Sequence, residues 1–257
     1  MTPVLQITGI QKRYQSLRPL RLQELTIASG ERVAISGFDA GAAEVLVNLV
    51  TGASLPDQGE VRVLGHRTAD IAGGDEWLAS LDRFGIVSPR GVLLEGATIE
   101  QNLAMPLTLQ IDPVPPDVAA RVAAMARDCG IERAPEPGPG ASPGSSPKGS
   151  KDGEDGRAEW LQRVTGDAPP HIRARVHLAR AIALAPALLV LEHPGADLQP
   201  DERGAFADCI ASVTDAAQFA TLVITQDDDF AKRAAHRALR LEPATGALKP
   251  IKRGWFS

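Results

Sequence analysis

Apolar and polar positions follow two regimes along this chain. In the first, residues alternate inside and out: VLQITGI (4–10), residues 22–27 and GEVRVLG (59–65) each read as a half-buried strand with period two. In the second, apolar residues run without interruption. RVAIS (32–36), RFGIVSP (83–89), ALLVLEHP (187–194) and ATLVITQ (220–226) read as strands covered on both faces. Helical spacing fills the intervals, over 43–51, 98–109, 117–130, 171–185, 200–216 and 228–236, and RALRLEP (237–243) reads as a last strand. Strands alternating with helices predict βαβ units and a mainly parallel sheet.

One stretch breaks this pattern. Residues 134–157, APEPGPGASPGSSPKGSKDGEDGR, hold no aromatic and no β-branched residue. Such a composition cannot bury enough surface to offset its ordering entropy, so it predicts a disordered insertion.

Composition adds exclusions. The chain has 257 residues, long enough for a sizeable core, and its net charge of −5 offers no basic footprint for nucleic acid. Its two cysteines, Cys129 and Cys209, build no disulfide framework and read as small buried residues in a reducing compartment. The start, MTPVLQITGI, lacks the basic and apolar regions of a signal peptide. No apolar run approaches the roughly 18 residues that span a bilayer, so any membrane link is expected to run through a partner.

The chemistry is concentrated in GERVAISGFDAGAAEVLVNLVTG (30–52), which has the rhythm of a P-loop: a strand, a glycine turn, then an apolar helix. A working P-loop reads G-x-x-x-x-G-K-[ST]. Counted from Gly37, this chain has Ala42, Ala43 and Glu44 at the glycine, lysine and hydroxyl positions, with Gly41 before them and Val45 after. Glu44 in the first helical turn would satisfy the helix dipole itself and stand in for a phosphate.

Four stretches in order resemble the ATP-binding subunit of ABC transporters. They are QKRYQSLRPLRLQELTIASGERVAISG, TGASLPDQGEVRVLG, RARVHLARAIALAPALLVLEHPGADLQP and TLVITQDDDFAKRAAHRALRLE. The resemblance runs from residue 4 to about 248, apart from the insertion. It implies the ABC ATPase fold: an α/β, P-loop NTPase-like, mainly parallel sheet with an antiparallel β part and a helical subdomain at about 90–165, all in one domain, 1–257.

Carried over position by position, the resemblance implies a degenerate site. Tyr14 matches the aromatic that stacks on adenine. Ala43 takes the place of the lysine that charges the β- and γ-phosphates, and Glu44 that of the magnesium hydroxyl. Pro89, in VSPRGVLL, falls on the Q-loop glutamine and brings no amide and no N–H. The signature LSGGQ falls on APPHI (168–172), with VTGD (164–167) as a shifted remnant. Glu192 takes the Walker B aspartate position, His193 that of the catalytic glutamate and Gln226 that of the switch histidine; Gln199 stands in the D-loop aspartate position.

Phosphoryl transfer is catalysed by positioning and charge, and these substitutions remove the charge. The reading implied is a catalytically inactive pseudo-ATPase that binds ATP and magnesium weakly or not at all, with no metal site of its own. Its implied partners are an integral membrane permease subunit and a second ABC subunit, in a homodimer or heterodimer, with LLEGATIEQNLAMPL (93–107) as the contact stretch. Its implied place is cytoplasmic, peripheral on the inner face of the membrane. Two alternatives are an atypical active ATPase, using Glu192, His193 and Gln226 in altered roles, and a soluble scaffold detached from transport.

Overall fold

A computed structural model describes residues 3–71, 73–131 and 160–251. The predicted insertion at 134–157 lies outside these described residues. The chain divides into two units, Met1–Gly91 with Leu184–Ser257, and Val92–Ala183.

The first unit holds two sheets. The alternating segments form an antiparallel sheet from β1 (Leu5–Lys12), β2 (Leu20–Ile27), β4 (Gln58–Val63) and β5 (His66–Arg67), in the order β2-β1-β4-β5. Leu5 and Ile7 face inward while Gln6 and Thr8 face water, as the period of two requires.

The uninterrupted apolar runs form the second sheet. Its strands are β3 (Arg32–Ser36), β6 (Phe84–Val87), β7 (Leu188–Glu192), β8 (Ala220–Thr225), β9 (Arg237–Glu242) and β10 (Ala247–Pro250), in the order β10-β9-β3-β8-β7-β6. Every residue of β3, β7 and β8 is buried, and these strands pair in parallel. Both faces are covered, so the side chains need no alternation.

Three expectations change in the two sheets. The run at 83–89 is not a fully buried strand: β6 is an edge, and Ile86 is 40% exposed. The strand at 237–243 is not the last, because β10 turns back and pairs with it antiparallel. In the neighbouring antiparallel sheet, β2 starts at Leu20, two residues before the expected 22–27.

The helices of this unit are α1 (Ala40–Val50), α2 (Gly74–Leu81), α6 (Pro200–Ala217) and α7 (Asp228–Ala234). α2 has no counterpart among the expected helices, and none of its residues is buried. α1 is built into the main apolar cluster, where Ala43, Leu46, Leu49 and Val50 share one core with Leu5 and Ile7 of the antiparallel sheet and with Ile35, Val190 and Ile224 of the parallel one.

The second unit is helical: α3 (Ile99–Ala104), α4 (Pro116–Asp128) and α5 (Pro170–Ile182). The helix expected over 98–109 stops at Ala104. Met105 is its C-cap, Pro106 follows with no N–H to extend the helix, and Leu109 is fully exposed. α5 likewise ends at Ile182, short of the expected 185, and Ala185 takes a left-handed φ of 51°.

A polar hub organises this unit. Asn102 is 0% exposed, and its amide accepts from the Leu94 N–H (2.9 Å) and donates to Leu94 O (2.9 Å), Thr98 O (3.2 Å) and Thr165 Oγ1 (2.9 Å). With its donors and acceptor satisfied, such a buried amide fixes the loops around it rather than costing stability. Cys129 is buried in this unit, while Cys209 on α6 is half-buried.

Candidate functional site

The site begins where β3 delivers the chain into its loop. Gly37 holds a left-handed φ of 92°, and a Cβ there would stand 3.0 Å from Leu241 O, so the turn requires glycine twice over. Phe38 follows and is 1% exposed, anchoring the loop in the core. Asp39 then caps α1: its φ of −74° and ψ of 171° are extended, and its Oδ1 accepts from the Ala42 N–H at 2.7 Å. The Ala43 N–H donates to Asp39 O at 2.9 Å.

This differs from the expected helix of 43–51. α1 already starts at Ala40, so three residues expected in the phosphate loop are wound into the helix. The cap is also not Glu44. No acidic residue lies in the first turn of α1, and Glu44 sits exposed in the second. The reason is local: an Asp directly ahead of the apolar pattern reaches the orphan N–H groups, and a side chain four residues into the helix does not.

The other P-loop positions follow from this early start. Ala43, at the lysine position, is 0% exposed inside the apolar cluster, and Ala42 is 7% exposed beside it. Val45 is half-buried against the same cluster. Gly41 lies under the ring of Tyr14, and a Cβ on it would stand 3.4 Å from Tyr14 Cε2. The ring packs on the loop and the core together, so Tyr14 and Gly41 are brought together.

Glu192 ends β7 with its side chain 4% exposed. Its partner is Arg90: Nη2 donates to Glu192 Oε2 at 2.9 Å, while Nη1 of the same guanidinium lies 2.6 Å from Glu44 Oε1. Arg90 thus bridges α1 and the end of β7. It follows Pro89, the Q-loop position, in a tight turn closed by the Gly91 N–H donating to Ser88 O at 2.8 Å.

His193, next along, takes a left-handed φ of 46° with its N–H donating to Ile224 O at 2.8 Å. Its Nε2 is buried and has no hydrogen-bond partner among the described residues. Gln226 is exposed beyond the end of β8, and no hydrogen bond among the described residues joins it to Glu44, Arg90 or Glu192. The next residue, Asp227, caps α7, accepting from the Asp229 N–H (2.9 Å) and the Phe230 N–H (3.0 Å). Gln199 caps α6 in the capping-box manner with Glu202.

In the helical unit, APPHI opens α5, with Pro169 as N-cap and Pro170 as its first residue. Neither has an N–H, and no side chain caps this end. VTGD lies at a short turn of 3₁₀-helix, Thr165–Asp167, where the Gly166 N–H donates to Glu95 O at 3.0 Å.

Set against a metal–nucleotide complex, these residues do not fit. Asp39 presents a carboxylate to the donors that would hold a phosphate, no lysine is present at 43, and a guanidinium lies between the two carboxylates beside which a metal would bind. Among the described residues, no group of three or more His, Cys, Asp or Glu is placed to hold a metal ion. No helix among them is long and apolar enough to cross a membrane.

Phe38, Asp39 and Arg90 carry this arrangement and were not among the expected site residues. Asp39 had a local signal, an N-cap residue before an apolar helix. Arg90 had none in its own segment; its partners come from α1 and β7.

No family model matches the chain. It is 27% identical over 223 residues to the Fe(3+) ions import ATP-binding protein FbpC of Mesorhizobium japonicum, covering 87% of this chain and 53% of that protein. It is 24% identical over 243 residues to the lipoprotein-releasing system ATP-binding protein LolD of Psychrobacter arcticus, covering 93% and 96%. The chain spans about half the length of the iron-import relatives it matches. Among solved structures, the ADP- and Pi-bound dimer of the ATP-binding cassette MJ0796 matches with a TM-score of 0.70 at 17% identity, over 97% of this chain and 100% of that one. cbiO1 of Clostridium perfringens, described as part of the ABC transporter complex cbiONQ, matches with a TM-score of 0.73 at 17% identity, over 97% and 88%. The chain therefore has the fold of an ABC ATPase cassette, and its sequence relatives are ATP-binding proteins of ABC transporters.

Proposed function

We propose that this chain, an ATPase cassette by fold, is the ATP-binding-type subunit of a membrane transport complex and has lost ATP hydrolysis, serving as a structural or regulatory partner of a permease. The observation that carries the loss is at the head of α1, where Asp39 binds the N–H of Ala42 and the lysine position is a core alanine. A nucleotide phosphate there would meet a carboxylate and no side-chain cation. Six substituted ATP-contacting positions (Ala43, Glu44, Pro89, the signature stretch, His193 and Gln226) support the same reading.

The partnership draws on the relatives, named for iron import and lipoprotein release, and on the complex that contains cbiO1. It is supported by an apolar surface in the helical unit, where Val92 is 74%, Leu94 45% and Val164 40% exposed around loops held by the Asn102 hub. Such a subunit would lie on the cytoplasmic face of the membrane through its permease, paired with a second cassette.

Titration with a fluorescent ATP analogue and magnesium, followed by a phosphate-release assay, tests the loss. No saturable micromolar binding and no turnover are expected. Pull-down from membranes tests the partnership, and a failure to recover an integral membrane protein would favour a detached scaffold. One observation favours a second reading, an atypical active ATPase: the buried Nε2 of His193, without a hydrogen-bond partner among the described residues and on a left-handed backbone, resembles a residue held for function. Turnover abolished by His193→Ala would establish that reading instead.

A further inference from the structure

We infer that the chain carries its own replacement for a metal–phosphate pair, with Asp39 as the resident anion and Arg90 as the resident cation, and that Arg90 is an internal plug fastening the 88–91 turn across the degenerate site. This rests on the non-hydrolysing reading in what it says of nucleotide, and on side-chain geometry alone in what it says of the plug.

Glu192 makes the plug necessary. A carboxylate 4% exposed at the end of an all-buried strand has lost its water, and an unpaired charge in that place is strongly destabilising. Among the described residues, Arg90 is the cation paired with it. The planar guanidinium fork can turn one nitrogen to Glu192 and the other to Glu44, which a point-charge ammonium cannot do as well. The turn that carries Arg90 suits this role. Pro89 sets its second position, Gly91 its fourth, and the Arg90 N–H donates to Ser88 Oγ at 3.2 Å.

The two arms differ in strength. The Glu44 side chain is 48% exposed and that of Arg90 45%, so their contact is weakened by water and salt. The Glu192 arm is desolvated at one end and carries the energy. A metal–nucleotide complex entering this site would have to expel a cation that is already neutralising Glu192, and an anion that is already capping α1. The fold is thereby complete without ligand, and its stability is independent of nucleotide.

The test uses the full chain without nucleotide, so its outcome is separate from the ATP titration: turnover in the parent protein would sink the non-hydrolysing reading and leave the plug standing. Arg90→Ala is expected to raise the unfolding equilibrium constant, read by urea titration, about a hundredfold. Arg90→Ala with Glu192→Gln should recover most of that loss, because no unpaired buried charge remains. Glu44→Gln alone should change it less than about fivefold. If Arg90→Ala does not fold, the test passes to Glu192→Gln alone, which keeps Arg90 and should speed tryptic cleavage at the Arg90–Gly91 bond. Equal stability of the single and double variants, no loss in Arg90→Ala, or unchanged cleavage in Glu192→Gln would overturn the plug.

Discussion

Helices α1 and α5 both begin at positions where the resemblance to ABC cassettes expects phosphate-facing backbone, and the two ends are built differently. α1 keeps its N–H groups and fills one from a side chain: Asp39 puts its carboxylate on the Ala42 N–H, while the Ala43 N–H makes the ordinary first helical bond to Asp39 O. α5 removes them: Pro169 and Pro170 contribute no donor at all, and no side chain caps the end. Filling and removing differ physically. A filled helix end is an anion site occupied from within, and one substitution reopens it. A helix end built on prolines offers fewer donors and no cap whose removal would free one.

The largest test of this contrast is Phe38→Ala. If the first loop is held shut by its anchor in the core, losing the aromatic ring should cost about 3–4 kcal/mol in urea unfolding. A loss below about 1 kcal/mol would mean that the capped loop holds itself.

Next comes Ala43→Lys, which puts a lysine where the resemblance expects one. At a 0% exposed position it should destabilise by about 2–3 kcal/mol and give no nucleotide binding. Micromolar binding of the ATP analogue by this variant would show that only the lysine was lacking.

Asp39→Ala bears most directly on filling versus removing. It should cost about 1 kcal/mol of stability through the lost cap. It should also make the melting temperature respond to millimolar inorganic phosphate where the parent protein does not. Equal indifference of both proteins would put the two helix ends on the same footing.

The smallest effect is expected from pH at α5. Burial pushes His177 below its ordinary value, and the neighbouring Arg180 and Arg173 push it further. The folded protein thus favours the neutral imidazole. Its contribution is complete above the unfolded value of about 6.5 and is lost as pH falls through that value towards the folded one. Denaturation midpoints measured from pH 7.5 to 5 should decline, and His177→Gln should flatten that decline. An identical slope in the variant would remove His177 as its source.

Much of this molecule was legible from local pattern. The uninterrupted runs at 32–36, 187–194 and 220–226 became β3, β7 and β8, because a strand covered on both faces needs apolar residues throughout. Edges were harder. β6 carries an apolar run like the others, yet it has a neighbour on one side only, which periodicity does not reveal. The helix end at Ala104 and the early start of α1 depended on capping and exposure more than on the apolar stripe.

For the candidate site the division is sharper. Sequence by itself determined which residue types stand at 43, 44, 89, 193 and 226, wherever they fold. It also held the cap of α1, since Asp39 acts three residues along its own chain. Only the tertiary structure decided which other residues meet those positions. Arg90 meets Glu192 across 102 residues of sequence and Glu44 from another element again. A side-chain pair of that separation leaves no period and no local motif, because its energy comes from two carboxylates and a guanidinium brought together in a site that burial has partly dried.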